Sequence, residues 1–150
     1  MELLKIEYIS KTPILYMRRV GAYGAENHLL METFKQELRN QHLFQNPTIL
    51  GIAQDNPLTT STEHCRYDVC LILNDTTTSA KFPLKYGEFT GGKFAVFQLA
   101  HNVQAVADWY SELDKLIQLY QLTPRPTPII ERYQDKMIKA DLCEMLLPID

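Results

Sequence analysis

The chain has 150 residues, 45% hydrophobic and 22% charged, the make-up of one soluble domain that can bury a core without disulfide or metal support. Fifteen Lys and Arg against 18 Asp and Glu give a net charge of −3, with no run of like charge concealed in the average. This speaks against a nucleic-acid-binding module and its basic stripe. Eight Tyr, six Phe and one Trp are the compositional excess, and such rings either fill a core or line a pocket.

Residues 1–7 carry acidic groups inside their apolar stretch and lack a small-residue cleavage site, unlike a signal peptide. No apolar run approaches the roughly 20 residues needed to span a bilayer. The expected location is cytoplasmic and off the membrane. Cys65, Cys70 and Cys143 show no CxxC spacing and read as buried free thiols. Glu63-His64-Cys65 has no finger-like partner spacing around it, so neither a metal nor another cofactor is expected.

In chain order, Leu4, Ile6 and Tyr8 alternate with Lys5 and Glu7, which predicts a strand with the apolar set inward. Residues 14–20 form a second strand, followed by a turn at Gly21-Ala22-Tyr23-Gly24. Leu30, Met31, Phe34 and Leu38 recur at helical spacing between about Ala25 and His42. Strands follow at 48–53 and 66–73, separated by a polar, Pro-containing loop. Residues 74–80 are the most polar stretch and mark a seam between two halves, about 1–78 and 79–150, of a single domain.

The second half repeats this order. A strand at 93–99 follows Gly91-Gly92, and Asn102 is placed to cap a helix carrying Val106, Trp109, Tyr110, Leu113, Leu116, Ile117 and Tyr120. Prolines 124, 126 and 128 stop that helix, and strands at 129–133 and 142–147 close the chain. Gly21 precedes Asp55 by 34 residues and Ala100 precedes Asp135 by 35, and Asp68-Val69-Cys70-Leu71 echoes Asp141-Leu142-Cys143-Glu144. The predicted fold is α+β. Two pseudo-symmetric strand–helix–strand–strand modules share one curved antiparallel sheet, with both helices on one face.

Six local patterns resemble the GyrI-like small-molecule-binding family, which includes effector-binding domains of AraC- and MerR-type regulators and gyrase-inhibitor proteins. They are Val20-Gly21-Ala22-Tyr23, Gly51 to Pro57, Arg66-Tyr67-Asp68, Thr90 to Phe97, Glu131-Arg132-Tyr133 and Leu147-Pro148-Ile149. One departure is Ala100-His101-Asn102, where the family usually repeats a Gly-Pro-Tyr-like turn. The resemblance implies a ligand cleft between the helices and the sheet. The first predicted strand starts within a few residues of Met1, so a stand-alone sensor, monomeric or weakly dimeric, is expected.

Alternation along residues 129–133 projects Ile129, Glu131 and Tyr133 from one face and Ile130 and Arg132 from the other. A carboxylate in an apolar strand is costly unless paired, and such groups are often functional. In the resembled family a pocket glutamate contacts cationic, lipophilic ligands, and Glu131 is the matching position. The alternative reading pairs Glu131 with a surface cation, and Glu144 in the last strand is the competing pocket carboxylate. Trp109, Tyr110, Tyr67, Tyr16 and Tyr133 are the candidate walls, although helical spacing also explains Trp109 and Tyr110 as core. Arg66 and Asp68 read as structural ion-pair residues.

The expected partner is a hydrophobic or cationic small molecule, with no direct nucleic acid or membrane contact. A protein partner, as for the gyrase inhibitors, is the second expectation. No nucleophile elbow, phosphate loop or dinucleotide motif occurs in the sequence, which speaks against an enzyme. The resemblance leaves one catalytic option: hydrolysis of strained electrophiles, with Glu131 as base and Tyr133 or Tyr67 as its hydrogen-bond partner.

Overall fold

The computed structural model describes residues 2–75 and 77–150; Met1, and Thr76 within the polar 74–80 stretch, lie outside the described residues. In chain order the elements are β1 (Leu3–Ile9), β2 (Thr12–Val20), α1 (Ala25–Asn40), β3 (Thr48–Ala53), β4 (Arg66–Ile72) and β5 (Lys85–Phe89). They continue with β6 (Gly92–Ala100), α2 (Val103–Leu119), β7 (Ile130–Gln134), α3 (Asp135–Lys139) and β8 (Leu142–Ile149). The strands form one eight-stranded sheet in the order β1-β6-β8-β7-β3-β4-β2-β5, antiparallel throughout. The two expected modules are β2-α1-β3-β4 and β6-α2-β7-β8, joined where β3 pairs with β7. None of the described helices is long and apolar enough to cross a membrane.

The flanking strands are exchanged. β1, first in the chain, pairs with β6 of the second module, and β5 pairs with β2 of the first. The connections β1–β2 and β5–β6 are nevertheless only two residues long. Each must therefore reach from one end of the sheet to the other, which curls the sheet until its ends nearly meet. Across that gap Phe89 stacks on Phe94 with ring centroids 6.1 Å apart, and Lys11 pairs with Glu88 at 3.4 Å. Gly91, at φ +73°, packs so tightly against the Ile9 carbonyl that a Cβ there would collide with it.

Curling gives the sheet two unlike faces. The outer face carries both helices over one core, in which Phe34 and Leu38 of α1 and Trp109 and Leu116 of α2 meet Ile49, Val69, Phe97 and Met145. The inner face carries no helix and holds Ile14, Leu50, Cys70, Phe94, Val96 and Leu146. Cys70 faces inward while Cys143 packs in the outer core, so the Asp-x-Cys echo between the halves is out of phase by one residue.

Strand β1 reverses its predicted orientation. Leu4, Ile6 and Tyr8 are 52, 45 and 74% exposed, whereas Glu7 turns to the inner face. The strand lies at the sheet edge with its outer side uncovered, and Arg132 on the inner face draws the Glu7 carboxylate to itself. Short β5 and single-turn α3 have no apolar alternation of their own and were not expected from the sequence; neighbouring strands hold them in place.

The predicted cap on α2 is present: the Asn102 side chain accepts the Ala105 N–H at 2.8 Å. Asn102→Ala should cost about 1 kcal/mol and lower the melting temperature by about 2–4 °C, measurable by thermal denaturation.

Several of the sequence motifs meet in a clasp at one end of the first module. Tyr23 Oη accepts the Asp55 N–H at 3.1 Å and donates to the Arg66 carbonyl at 2.8 Å. The Asp55 carboxylate takes both the Nε and Nη2 of Arg66, and that contact holds its pKa down at about 2. The motif residues there are structural. Asp68 likewise binds Arg18 on β2 through Nε at 2.6 Å and Nη2 at 2.8 Å, the inter-strand ion pair expected of it.

Candidate functional site

β7 and β3 are the central strands, and their pairing sets Glu131 opposite Gly51. Because Gly51 has no side chain, the Tyr67 hydroxyl can lie against the backbone where a Cβ would stand only 2.5 Å from it. Glu131 and Tyr133 project from the outer face as the alternation predicts. Over them lies a cleft of about 290 Å³, walled by Met31 and Lys35 of α1, Tyr67 of β4 and His101 just before α2.

Glu131 accepts a short hydrogen bond from the Tyr133 hydroxyl. Burial pushes its carboxyl above the usual carboxylate range, and the tyrosine bond only partly offsets this. Among the described residues no Lys or Arg forms a salt bridge with it; Lys35, in the same cleft, lies 3.7 Å from Glu32. The neighbouring groups respond to both burial and this uncompensated charge. Tyr67 and Tyr133 are raised well beyond the ordinary phenol range, first by burial and then by the Glu131 carboxylate. Tyr110 is 46% exposed as a residue, yet burial and the Glu131 charge push its phenol up to about 12. The Cys143 thiol is pushed up to about 11 by burial, with Glu131 as the next cause, which leaves it unreactive.

The structure thus brings Glu131, Tyr133 and Tyr67 together in the cleft, with Tyr110 outside its lining but near enough to feel the Glu131 charge. It separates three other candidates from them. Tyr16 is on the inner face, because its position in β2 has the parity of Ile14. Glu144 is also on the inner face, 1% exposed, and accepts Arg132 Nε at 2.8 Å, so it is not the cleft carboxylate. Trp109 is wholly buried behind Tyr110, with ring centroids 5.1 Å apart, and packs on Phe97 as core.

His101 belongs to the cleft but is not among the site residues expected from the sequence; it lies in the Ala100-His101-Asn102 turn that departs from the family's pattern. Its ring lies 5.0 Å from that of Tyr133, and burial, with Lys35 adding to it, lowers its pKa below the ordinary imidazole value. It is therefore neutral at physiological pH and offers a ring to the cleft in place of a competing cation. The signal available in the sequence was its place in the second module's strand-to-helix turn, which corresponds to Gly21-Ala22-Tyr23 in the first.

Gly51→Ala tests this packing. The added methyl must displace the Tyr67 hydroxyl from the floor of the cleft, so a loss of about 1–3 kcal/mol is expected in denaturant unfolding, with altered tyrosine signals in the near-ultraviolet.

Residues 4–150 match the GyrI-like small molecule binding domain over nearly the whole chain. The chain belongs to that family. Its GyrI-like sequence is 43% identical over 147 residues to YosT, an SPbeta prophage protein of Bacillus subtilis (strain 168) named as a candidate transcriptional regulator. That likeness covers 97% of this chain and 98% of YosT. The fold superposes on the EcmrR C-terminal domain with a TM-score of 0.72 at 10% identity, covering 97% of this chain and 96% of that one. Against the EcmrR chain in its DNA complex it spans 56% of the length. SAV2435 bound to tetraphenylphosphonium superposes with a TM-score of 0.65 at 16% identity, covering 100% of this chain and 94% of that one. This GyrI-like protein is thus a ligand-binding domain related to the effector-binding domains of transcription regulators.

Proposed function

We propose that the cleft binds hydrophobic, often cationic, small molecules, with Glu131 as the counter-charge and Tyr67, Tyr110 and Tyr133 as the surrounding rings. The observation that carries this reading is the Glu131 carboxylate, buried at the cleft floor with a tyrosine hydroxyl and, among the described residues, no Lys or Arg salt bridge. A cationic ligand supplies the missing charge in a setting of low dielectric. Each ring face adds about 0.5–2 kcal/mol of cation–π attraction. SAV2435, which shares the fold, holds such a cation.

The test is a thermal-shift and calorimetric comparison of tetraphenylphosphonium with triphenylphosphine oxide, which is similar in shape but uncharged. Marked stabilisation by the cation and little by the oxide is expected. Equal stabilisation by both would remove charge recognition, and stabilisation by neither would remove the binding function proposed.

A further inference from the structure

The inner face of the curled sheet contains a second concavity, of about 350 Å³, that shares no residue with the Glu131 cleft. Its apolar part is a slot between the stacked Phe89 and Phe94 rings, Tyr16, and the side chains of Ile14, Ile52 and Ile130. Two guanidinium groups stand in its wall, those of Arg18 and Arg125.

The one cation of this wall without a carboxylate partner among the described residues is Arg125, because Arg18 is committed to Asp68 and Glu88 pairs with Lys11. Asp68 accepts Arg18 Nε and Nη2 and also Gln54 Nε2 at 2.9 Å, and Glu88 pairs with Lys11 at 3.4 Å. Arg125 has no carboxylate partner among the described residues. Its Nε and Nη2 donate to the carbonyls of Ile149 (2.8 Å) and Lys93 (3.2 Å), and its guanidinium lies 5.5 Å from the centre of the Phe94 ring. These contacts fix the group without cancelling its charge, and leave Nη1 without an acceptor among the described residues. The Arg18 Nη1 is likewise without one, held at the wall by the Asp68 clamp. An aromatic body in the slot with an anionic end toward Arg125 would supply the counter-charge that guanidinium lacks, with Arg18 Nη1 as a second donor.

We propose that the inner-face cavity is a second small-molecule site, which takes an aromatic carboxylate of one or two rings. It is opposite in charge preference to the Glu131 cleft and lies on the other side of the same sheet, so one molecule can hold both ligands at once.

The probe is 1-naphthoate, titrated into protein labelled at its isoleucine methyl groups and followed by NMR. Saturable shifts are expected at Ile14, Ile52 and Ile130, with Ile49 and Ile117 on the helix-bearing face unmoved. The uncharged 1-naphthamide should bind about tenfold more weakly or worse, and Arg125→Gln should weaken naphthoate by a similar factor. No saturable shift, shifts confined to Ile49 and Ile117, or equal affinity for the amide and the carboxylate would each overturn the proposal. These readouts use the wild-type protein, so they decide the matter even if Arg125→Gln does not fold. They are also independent of whether cations occupy the other cleft.

Discussion

In the Glu131→Gln protein, thermal unfolding is expected a few degrees above wild type at neutral pH, while tetraphenylphosphonium binds at least about tenfold more weakly. The two effects have one origin. Burial holds the Glu131 carboxyl above its ordinary value of 4.5, so over that range the folded chain keeps a proton that the unfolded chain releases. Stability therefore falls as pH rises from 4.5 through the raised value, and the full penalty persists above it. Glutamine has no such penalty, so the variant should gain on wild type with rising pH and converge with it below pH 4.5. Cation binding should show the reverse slope. It favours the ionised carboxylate, so wild-type affinity should climb with pH through the same window while that of the variant stays flat. Calorimetric titrations and melting curves across roughly pH 4 to 8 read both slopes. A variant that melts below wild type at neutral pH, or an affinity independent of pH in wild type, would contradict this account.

Arg132→Met is expected to be the most damaging single substitution described here, costing about 3–5 kcal/mol in denaturant unfolding. Arg132 is buried between two carboxylates: Nε donates to Glu144 at 2.8 Å, and Nη1 and Nη2 to Glu7 at 2.9 and 2.8 Å. Methionine would fill much of the same volume but leave the buried Glu144 without a partner and Glu7 with only the exposed Lys5 at 3.3 Å. The arginine also holds Glu7 below the ordinary carboxylate range. Glu7 therefore contributes stability that is present above pH 4.5 and lost as pH falls through its lowered value. That acid-side slope should be weaker in the Arg132→Met protein. Replacing the three charges together by apolar residues of matched size should recover most of the loss, because desolvation of a buried pair offsets much of its attraction. If the single substitution were as mild as the triple one, the ion cluster would not be what secures β1 and β8 to β7.

The features that could be read from the sequence are those decided within a few residues. Asn102 caps its helix through a bond three residues away, and the alternation of Ile130, Glu131, Arg132 and Tyr133 assigns faces correctly because β7 is central and covered on both sides. Where an element's environment depends on distant strands, pattern was a poorer guide. The alternation in β1 has the right period but the wrong phase, since the inward position is decided by Arg132, 125 residues away, and the outer face at that edge has no cover. Tyr16 and Glu144 looked equivalent to the cleft residues by composition. The parity of their strands against the curled sheet, which no local window contains, sends them to the other face. His101 was missed for a related reason: its strand-to-helix turn is visible in the sequence, but the surroundings that make it a cleft residue are built by Tyr133 and α1.

The exchanged edge strands affect what the two halves can do when separated. Cleavage in the polar 74–80 stretch would leave the N-terminal fragment with β1 but without β6 beside it, and the C-terminal fragment with β5 but without β2. Each piece would hold the strand that completes the other, in addition to sharing the β3–β7 seam. A nicked molecule should therefore stay assembled under native conditions, and separately made halves should reconstitute by mutual complementation. The arrangement makes the doubled domain interlocked, so the cleft and the cavity on its two faces are inherited, lost or engineered as one unit.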